Sequence, residues 1–219
     1  MIVAIDGPAG SGKGTITKLV AEKCNLVYID TGATYRCVAL AIIENNYNLD
    51  DEEKIVELTK TLNIDFDTNG HTFLNGKDVS DRIRDKDVTS IVSPVSSIVK
   101  VREILVLLQR NMAKGKNVIM EGRDITTVVF PNADYKFYLD ASIEERANRR
   151  YKQNIEKNIN MSYDEIIENI RKRDYNDMNK PVGALKRTES QIYIDSSNMT
   201  IDEVVNKIVE IIGSEDKWI

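Results

Sequence analysis

The stretch Gly7-Pro8-Ala9-Gly10-Ser11-Gly12-Lys13-Gly14-Thr15 holds residue types that could do chemistry, at a spacing that suits them. In the pattern G-x-x-x-x-G-K the glycines let the backbone fold tightly, so several N–H groups converge on one point. A helix beginning there adds the partial positive charge of its N-terminus. Lys13 adds a full charge, suited to β- and γ-phosphate oxygens. The chemistry is polyphosphate binding. The hydroxyl that commonly follows the lysine comes one residue late, because Gly14 takes its place and Thr15 stands next. Such a loop serves hydrolysis, switching or group transfer equally well, so other residues must decide between them.

Charged groups also follow apolar runs elsewhere. Asp30-Thr31-Gly32-Ala33-Thr34-Tyr35-Arg36 follows Leu26–Ile29, and Glu121-Gly122-Arg123-Asp124 follows 117–120. In an open parallel sheet, residues just past the carboxyl end of a strand face the ligand crevice, which singles out Thr31, Tyr35, Arg36, Arg123 and Asp124. Arg146, Arg149 and Arg150 fall at i, i+3, i+4 on one helix face, and Arg173, Asp177 and Lys180 at i, i+4, i+7 on another. Two positive sets result: Lys13 with Arg146, Arg149, Arg150 and Arg173, and Arg36 with Arg102 and Arg123. Transfer between two phosphorylated nucleotides needs this doubling, one set for the donor triphosphate and one for the acceptor phosphate. Catalysis of such a transfer is mostly positioning and charge stabilisation. An acceptor phosphate is already a nucleophile near neutral pH, so no strong base is required. His71, the only histidine, sits beside a turn and reads as an exposed strand residue. A movable arginine lid that excludes water would suppress hydrolysis. A GTPase switch would need an N-K-x-D motif, which the sequence lacks.

The elements that must position these residues read as an α/β core. Ile2–Ile5, Leu26–Asp30, 117–120, Tyr135–Leu139 and Ile192–Asp195 are apolar strands, and helices are expected from Thr15 to Cys24, from Thr31 or Gly32 to about Asn46, and from near Asp50 to Leu62. Between 63 and 84 the pattern changes to a small antiparallel sheet: Ile64–Asp67, a turn at Thr68-Asn69-Gly70, His71–Leu74, the hairpin signal Asn75-Gly76, and a third strand over Val79–Arg84. Asp87–Ser97 reads as a helix interrupted at Ser93-Pro94, followed by a longer helix with Ile98, Val101, Leu105 and Leu108 inward and Arg102 and Gln109 off that stripe. Ser142 with Glu145 and Ser162 with Glu165 read as capping boxes of two charged helices joined by a turn over Asn154–Met161. Thr200–Ile212 is a last amphipathic helix.

At 219 residues and a net charge of -5, the chain can bury a proper core and has no global field that would recruit nucleic acid or anionic membrane. Cys24 and Cys37 are the only cysteines and read as buried free thiols, with no disulfide or zinc framework. The N-terminal residues read as a strand, not a signal sequence, and no apolar run approaches the ~20 residues of a membrane span. The expectation is a cytoplasmic protein.

Five stretches together resemble the bacterial cytidylate (CMP) kinases over essentially the full length. They are I-D-G-P-A-G-S-G-K-G-T at 5–15, D-T-G-A-T-Y-R at 30–36, G-R-D-I-T-T-V-V-F-P at 122–131, E-E-R-A-N-R-R-Y-K-Q at 144–153 and R-D-Y-N-D-M-N-K-P-V at 173–182. The G-K-G-T ending is the form seen in nucleoside monophosphate kinases. The resemblance implies a P-loop kinase fold, with a five-stranded parallel sheet flanked by helices, an inserted antiparallel sheet in the nucleotide-monophosphate region and a short helical lid. It implies one domain with core 1–30, 114–150 and 181–219, acceptor region 31–113 and lid 151–180. It implies transfer of the γ-phosphoryl group of ATP to CMP or dCMP with Mg²⁺, by a monomer.

The family roles carry over by position. Gly7 to Thr15 hold ATP, and Lys13, Arg146, Arg150 and Arg173 are the expected catalytic cations. Thr31 takes the base-contacting Ser/Thr position, Tyr35 lines the acceptor, Arg36 and Arg123 match the acceptor-phosphate arginines, and Arg102 matches a base-contacting arginine. Asp124 matches the aspartate facing the cytosine amino group, and Arg173 and Asp177 match the pair reaching sugar and phosphate. A carboxylate suits the N4 donor of cytosine, whereas uracil would leave it unpaired. Thr15 and Glu121 are expected to meet Mg²⁺, through water. Three departures stand out: Lys180 replaces a common arginine, removing the fork that bidentate contact needs, Thr126 replaces a glycine usual after G-R-D-I, and Glu121 holds a position where related kinases often have Asp. The nearest alternative is a kinase of the same fold acting on another nucleotide or a shikimate-like acceptor. A non-catalytic nucleotide-binding regulator or RNA-binding protein is the other; an acidic chain without aromatic–basic stripes argues against polymer binding.

Overall fold

Ile2 to Ile5 offer water no polar side chain, and they become the centre of a sheet. In the computed structural model, which describes residues 1–67, 70–156 and 158–213, strand β1 (Ile2–Asp6) has Val3, Ala4 and Ile5 fully buried. Each such Val or Ile gains about 1.5–3 kcal/mol from burial. β1 pairs in parallel with β6 (Val118–Gly122) through Ile2↔Val118 to Asp6↔Gly122, and with β7 (Tyr135–Asp140) through Val3↔Tyr135 to Asp6↔Tyr138. β7 pairs in parallel with β8 (Ile192–Asp195). With β2 (Val27–Asp30) the sheet has the order β2-β6-β1-β7-β8. That is the expected five-stranded parallel sheet.

The chain falls into two compact units, one formed by Met1–Leu26 and the chain from Asn117 onward, the other by Val27–Lys116. In the first unit, α1 (Lys13–Cys24) packs against α8 (Ile201–Gly213). The helix α1 starts two residues before the expected Thr15, because Gly12 at φ 92° turns the chain directly into Lys13. Cys24 is half-buried rather than buried, and both cysteines are thiols outside any disulfide. α6 (Ile143–Glu156) and α7 (Tyr163–Met178) form a helical pair over Ala147, Ile166 and Ile170. The Ser162–Glu165 capping box is complete. The Ser142 box is only half made: Ser142 accepts the Glu145 N–H, but the Ser142 N–H donates to Ser197 and the Glu145 carboxylate turns to Arg149. The expected turn from Asn154 is displaced, since Asn154 is a buried residue of α6; Lys157 lies outside the described residues.

The second unit packs α2 (Thr31–Glu44), α3 (Glu52–Thr61), α4 (Lys86–Val95) and α5 (Val99–Ala113) around one apolar cluster. α2 is buried on every side over Cys37–Ile42, which a single inward stripe does not describe. β3 (Ile64–Phe66), β4 (Thr72–Leu74) and β5 (Lys77–Asp78) form the antiparallel inserted sheet. Asn75 (φ 51°) and Gly76 (φ 81°) make the hairpin turn; Thr68 and Asn69 of the other expected turn lie outside the described residues. The third strand is Lys77–Asp78, not Val79–Arg84. The Asp78 carboxylate accepts the Ser80 N–H at 2.9 Å and ends the strand in a side-chain turn, and Arg82–Arg84 is a 3₁₀ turn. Pro94 does not interrupt α4 either. It sits in the last turn and the helix ends one residue later, at Val95. Among the described residues, no helix is long and apolar enough to cross a membrane.

Candidate functional site

The glycine loop follows directly from β1. A Cβ on Gly7 would lie 2.0 Å from the Leu139 carbonyl oxygen of β7, so only glycine fits there. Lys13, 5% exposed, donates from Nζ to the Pro8 carbonyl at 2.7 Å and to Ser11 Oγ at 3.4 Å. Burial pushes its pKa down to about 7, and the neighbouring Arg123 and Arg173 push the same way against Glu121 and Asp177.

Two arginines of α6 reach the same loop. Arg146 donates to the Ala9 carbonyl at 3.0 Å and forms a bidentate pair with Asp174 of α7, at 3.0 and 2.6 Å. Arg149 donates to the Ser11 carbonyl at 3.1 Å and the Ser196 carbonyl at 3.0 Å. The i, i+3 spacing thus puts both on the loop, while Arg150 is exposed on α6. Arg149 was legible only as a member of the positive face, and Asp174 not at all. The pair Arg146–Asp174 spans 28 positions, and only the folded helical pair joins them.

Behind β6, Arg123 Nε donates to Asp177 at 2.7 Å, and Lys180 Nζ lies 3.2 Å from the other oxygen of Asp177. Burial opposes the charge on Asp177, but Arg123 and Lys180 outweigh it and hold its pKa below the usual carboxylate range. The structure therefore groups Arg123 with Lys13, Arg173, Asp177 and Lys180, rather than in the set the sequence suggested with Arg36 and Arg102. Asp124 is 5% exposed and begins a π-helical turn, Ile125–Val129, that the sequence did not signal. Thr15 is exposed on α1, and Glu121 sits on β6 opposite Ile5, close enough to Lys13 to raise its pKa.

In the second unit, Asp30 caps α2 by accepting the Ala33 N–H at 3.1 Å and pairs with Arg84 at 3.1 Å. That places Thr31, 3% exposed, as the first residue of the helix. One turn on, Arg36 donates to Thr89 Oγ1 at 2.8 Å and to the Ile83 carbonyl at 3.2 Å. Arg102 is only 4% exposed, donates to the Ser96 carbonyl at 3.1 Å, and lies 5.4 Å from the centroid of the Tyr35 ring. Its departure from the apolar stripe of α5 was a sign of a buried cation held by an aromatic face, not of a solvated charge. His71 is exposed, 2.7 Å from Asp67. Among the described residues no group of three or more His, Cys, Asp or Glu side chains is arranged to hold a metal ion.

The family model "Cytidylate kinase" matches residues 3–214. A cytidylate kinase of Fusobacterium nucleatum is 49% identical over 208 residues, covering 95% of each chain. One of Caldanaerobacter subterraneus subsp. tengcongensis is 46% identical over 215 residues, covering 98% of this chain and 96% of that one. Among solved structures, a shikimate kinase from Bacteroides thetaiotaomicron covers 97% of this chain and 98% of its own at a TM-score of 0.50 and 13% identity, a likeness of fold alone.

Proposed function

The chain belongs to the cytidylate kinase family and phosphorylates CMP with ATP; from that premise we propose how its residues divide the work, that dCMP is accepted as well as CMP, and that the enzyme acts as a cytoplasmic monomer. The observation that carries the assignment of roles is the network in which Arg123 and Lys180 share Asp177, close enough to Lys13 for Arg123 and Asp177 to shift its pKa.

The loop Gly7–Thr15 cradles the triphosphate of ATP with its backbone N–H groups, and Lys13 places its charge on the β- and γ-phosphate oxygens. Arg146 and Arg173 follow the transferred group and balance the charge that spreads over its oxygens, and Arg150 joins them from the same face of α6. Arg36 and Arg123 hold the acceptor phosphate, with Asp177 and Lys180 fixing Arg123 and meeting the sugar. Thr31, Tyr35 and Arg102 contact the acceptor nucleoside, and Asp124 accepts from the N4 amino group of cytosine. No general base is needed beyond the acceptor phosphate itself.

Thr15, exposed on α1, and Glu121, close enough to Lys13 to raise its pKa, would meet Mg²⁺ through water, since this hard cation binds through one or two protein oxygens, water and substrate phosphates rather than a protein cage. When bound it supplies charge neutralisation on the phosphate oxygens.

The test is ADP release followed across CMP, dCMP, UMP and AMP. Asp124→Ala is expected to lower the preference for CMP over UMP by roughly tenfold or more, because the unpaired carboxylate that rejects uracil is gone. An unchanged CMP/UMP ratio would remove Asp124 from the base-reading role.

A further inference from the structure

The segment following Arg123 and Asp124 is held by side chains to which the reaction as described assigns no part. Asp6, the last residue of β1, is fully buried. Its Oδ1 accepts the Ile125 N–H at 2.8 Å. Its Oδ2 accepts the Thr126 N–H at 2.9 Å and the Thr126 hydroxyl at 2.5 Å. Having donated its one proton, the hydroxyl has only lone pairs left, and one of them accepts Nε2 of Gln191 at 2.5 Å. The orientation of that amide is fixed from its other end. The Thr188 N–H donates to Gln191 Oε1 at 2.6 Å, which turns Nε2 towards Thr126 and to the Lys186 carbonyl at 3.3 Å. An ordered relay therefore runs from the loop before β8, through Gln191 and Thr126, to a buried carboxylate at the root of the glycine loop. Thr126, Gln191 and Asp6 are 3%, 8% and 0% exposed, so water does not substitute for any of them.

We propose that Thr126 and Gln191 are positioning residues for the acceptor: through Asp6 they fix the turn after β6 and so set the aim of Asp124 and Arg123. A glycine at 126, the residue expected there from the family pattern, would leave Asp6 with two backbone donors and would leave the Gln191 amide with only the Lys186 carbonyl as an acceptor. The side chains at 126 and 191 thus belong together as one device of this chain. Burial raises the Asp6 pKa to about 6 against the pull of the Thr126 and Ile125 donors, so the carboxylate leans on each of them. The inference rests on the reading of Asp124 and Arg123 as acceptor-binding residues.

The experiment compares wild type, Thr126→Val, Thr126→Ser, Gln191→Leu and the double Thr126→Val/Gln191→Leu in ADP release, with CMP and ATP varied separately, well below the lowest Tm in the set. Valine keeps the shape of threonine and removes only the hydroxyl. Thr126→Val is expected to raise KM for CMP roughly tenfold, the scale of a lost hydrogen bond to a charged group, and to leave KM for ATP within about twofold. Gln191→Leu, which breaks the outer link, is expected to raise KM for CMP about threefold and serves if Thr126→Val does not fold. Thr126→Ser is expected to restore the wild-type value, and the double variant to be no worse than Thr126→Val alone, because both break one relay. An active wild type whose valine and leucine variants keep its KM for CMP, or raise both KM values in the same proportion, would overturn the inference alone, as would failure of serine to rescue. A wild type that does not turn over CMP would overturn the functional reading beneath it.

Discussion

Binding of ATP at about pH 8 should take up close to one proton, and Lys13 is where it goes. In the free chain Lys13 is buried, its pKa lowered to about 7 by desolvation and by Arg123 and Arg173. At about pH 8 the amine is therefore about nine-tenths neutral. A triphosphate in the loop supplies the opposite charge, restores the ammonium and draws in about 0.9 proton per ATP; near pH 6 the same binding draws in only about 0.1. The triphosphate is fully ionised by about pH 8, so its own protons do not confuse the count. Titration calorimetry in two buffers of different ionisation enthalpy reads the number directly. Affinity for ATP should fall about tenfold per pH unit above 7, and Lys13→Arg, whose guanidinium stays charged, should bind with no uptake. The same lysine acts on stability with a definite sign. Its folded pKa lies below the unfolded value, so the cost of burying the ammonium is fully present below about pH 7 and is relieved as pH rises from there towards 10.5. Uptake below about 0.2 proton at about pH 8, or equal uptake by Lys13→Arg, would refute the reasoning.

Gly7→Ala should abolish turnover and lower Tm, because its Cβ would sit 2.0 Å from the Leu139 carbonyl of a central strand that cannot retreat; wild-type activity and melting would show that the loop tolerates a side chain there. Asp174→Ala should cost about 3–5 kcal/mol in denaturant unfolding, since it strands the Arg146 guanidinium, 4% exposed, without its carboxylate; a loss under about 1 kcal/mol would mean that the arginine finds water. Ser162→Ala should cost about 1 kcal/mol, read as faster amide exchange at Glu165 in the first turn of α7, because the hydroxyl that accepts the Glu165 N–H is lost while the backbone N–H of residue 162 still reaches the Glu165 carboxylate.

Strands, helices and the glycine loop were legible in the sequence because periodicity and turn chemistry are local. Ile2–Ile5 could only be a buried strand, and Asn75-Gly76 could only be a hairpin turn once two β-prone runs flanked it. Where the reading failed, a side chain took a partner that periodicity does not show. The third inserted strand ended early because Asp78 caught Ser80. The Ser142 box stayed half made because Ser197, 55 positions away, took the backbone donor and Arg149 took the carboxylate. In the site, the loop and the arginine faces were visible as patterns, but the carboxylates that hold them were not. Asp6 reads as a strand end, and Asp174 as one more charge on a polar helix, until the fold sets them against Thr126 and Arg146.

Those carboxylates divide the cations of the first unit into two kinds. Arg146 has Asp174, and Arg123 and Lys180 share Asp177, so each has a carboxylate partner without a nucleotide. Lys13 has only the Pro8 carbonyl and the Ser11 hydroxyl as hydrogen-bond partners among the described residues, and its pKa falls to about 7. A neutral acceptor can satisfy an ammonium's geometry but not its charge in a buried site. The polyphosphate is therefore the counter-ion that Lys13 lacks. The arginines respond differently, because a phosphate oxygen must displace or share a carboxylate that already holds them. On the proposed division of roles, a triphosphate would meet Lys13 directly, whereas Arg146 would reach a phosphate oxygen from within its pair with Asp174, and Arg123 from the position in which Asp177 holds it.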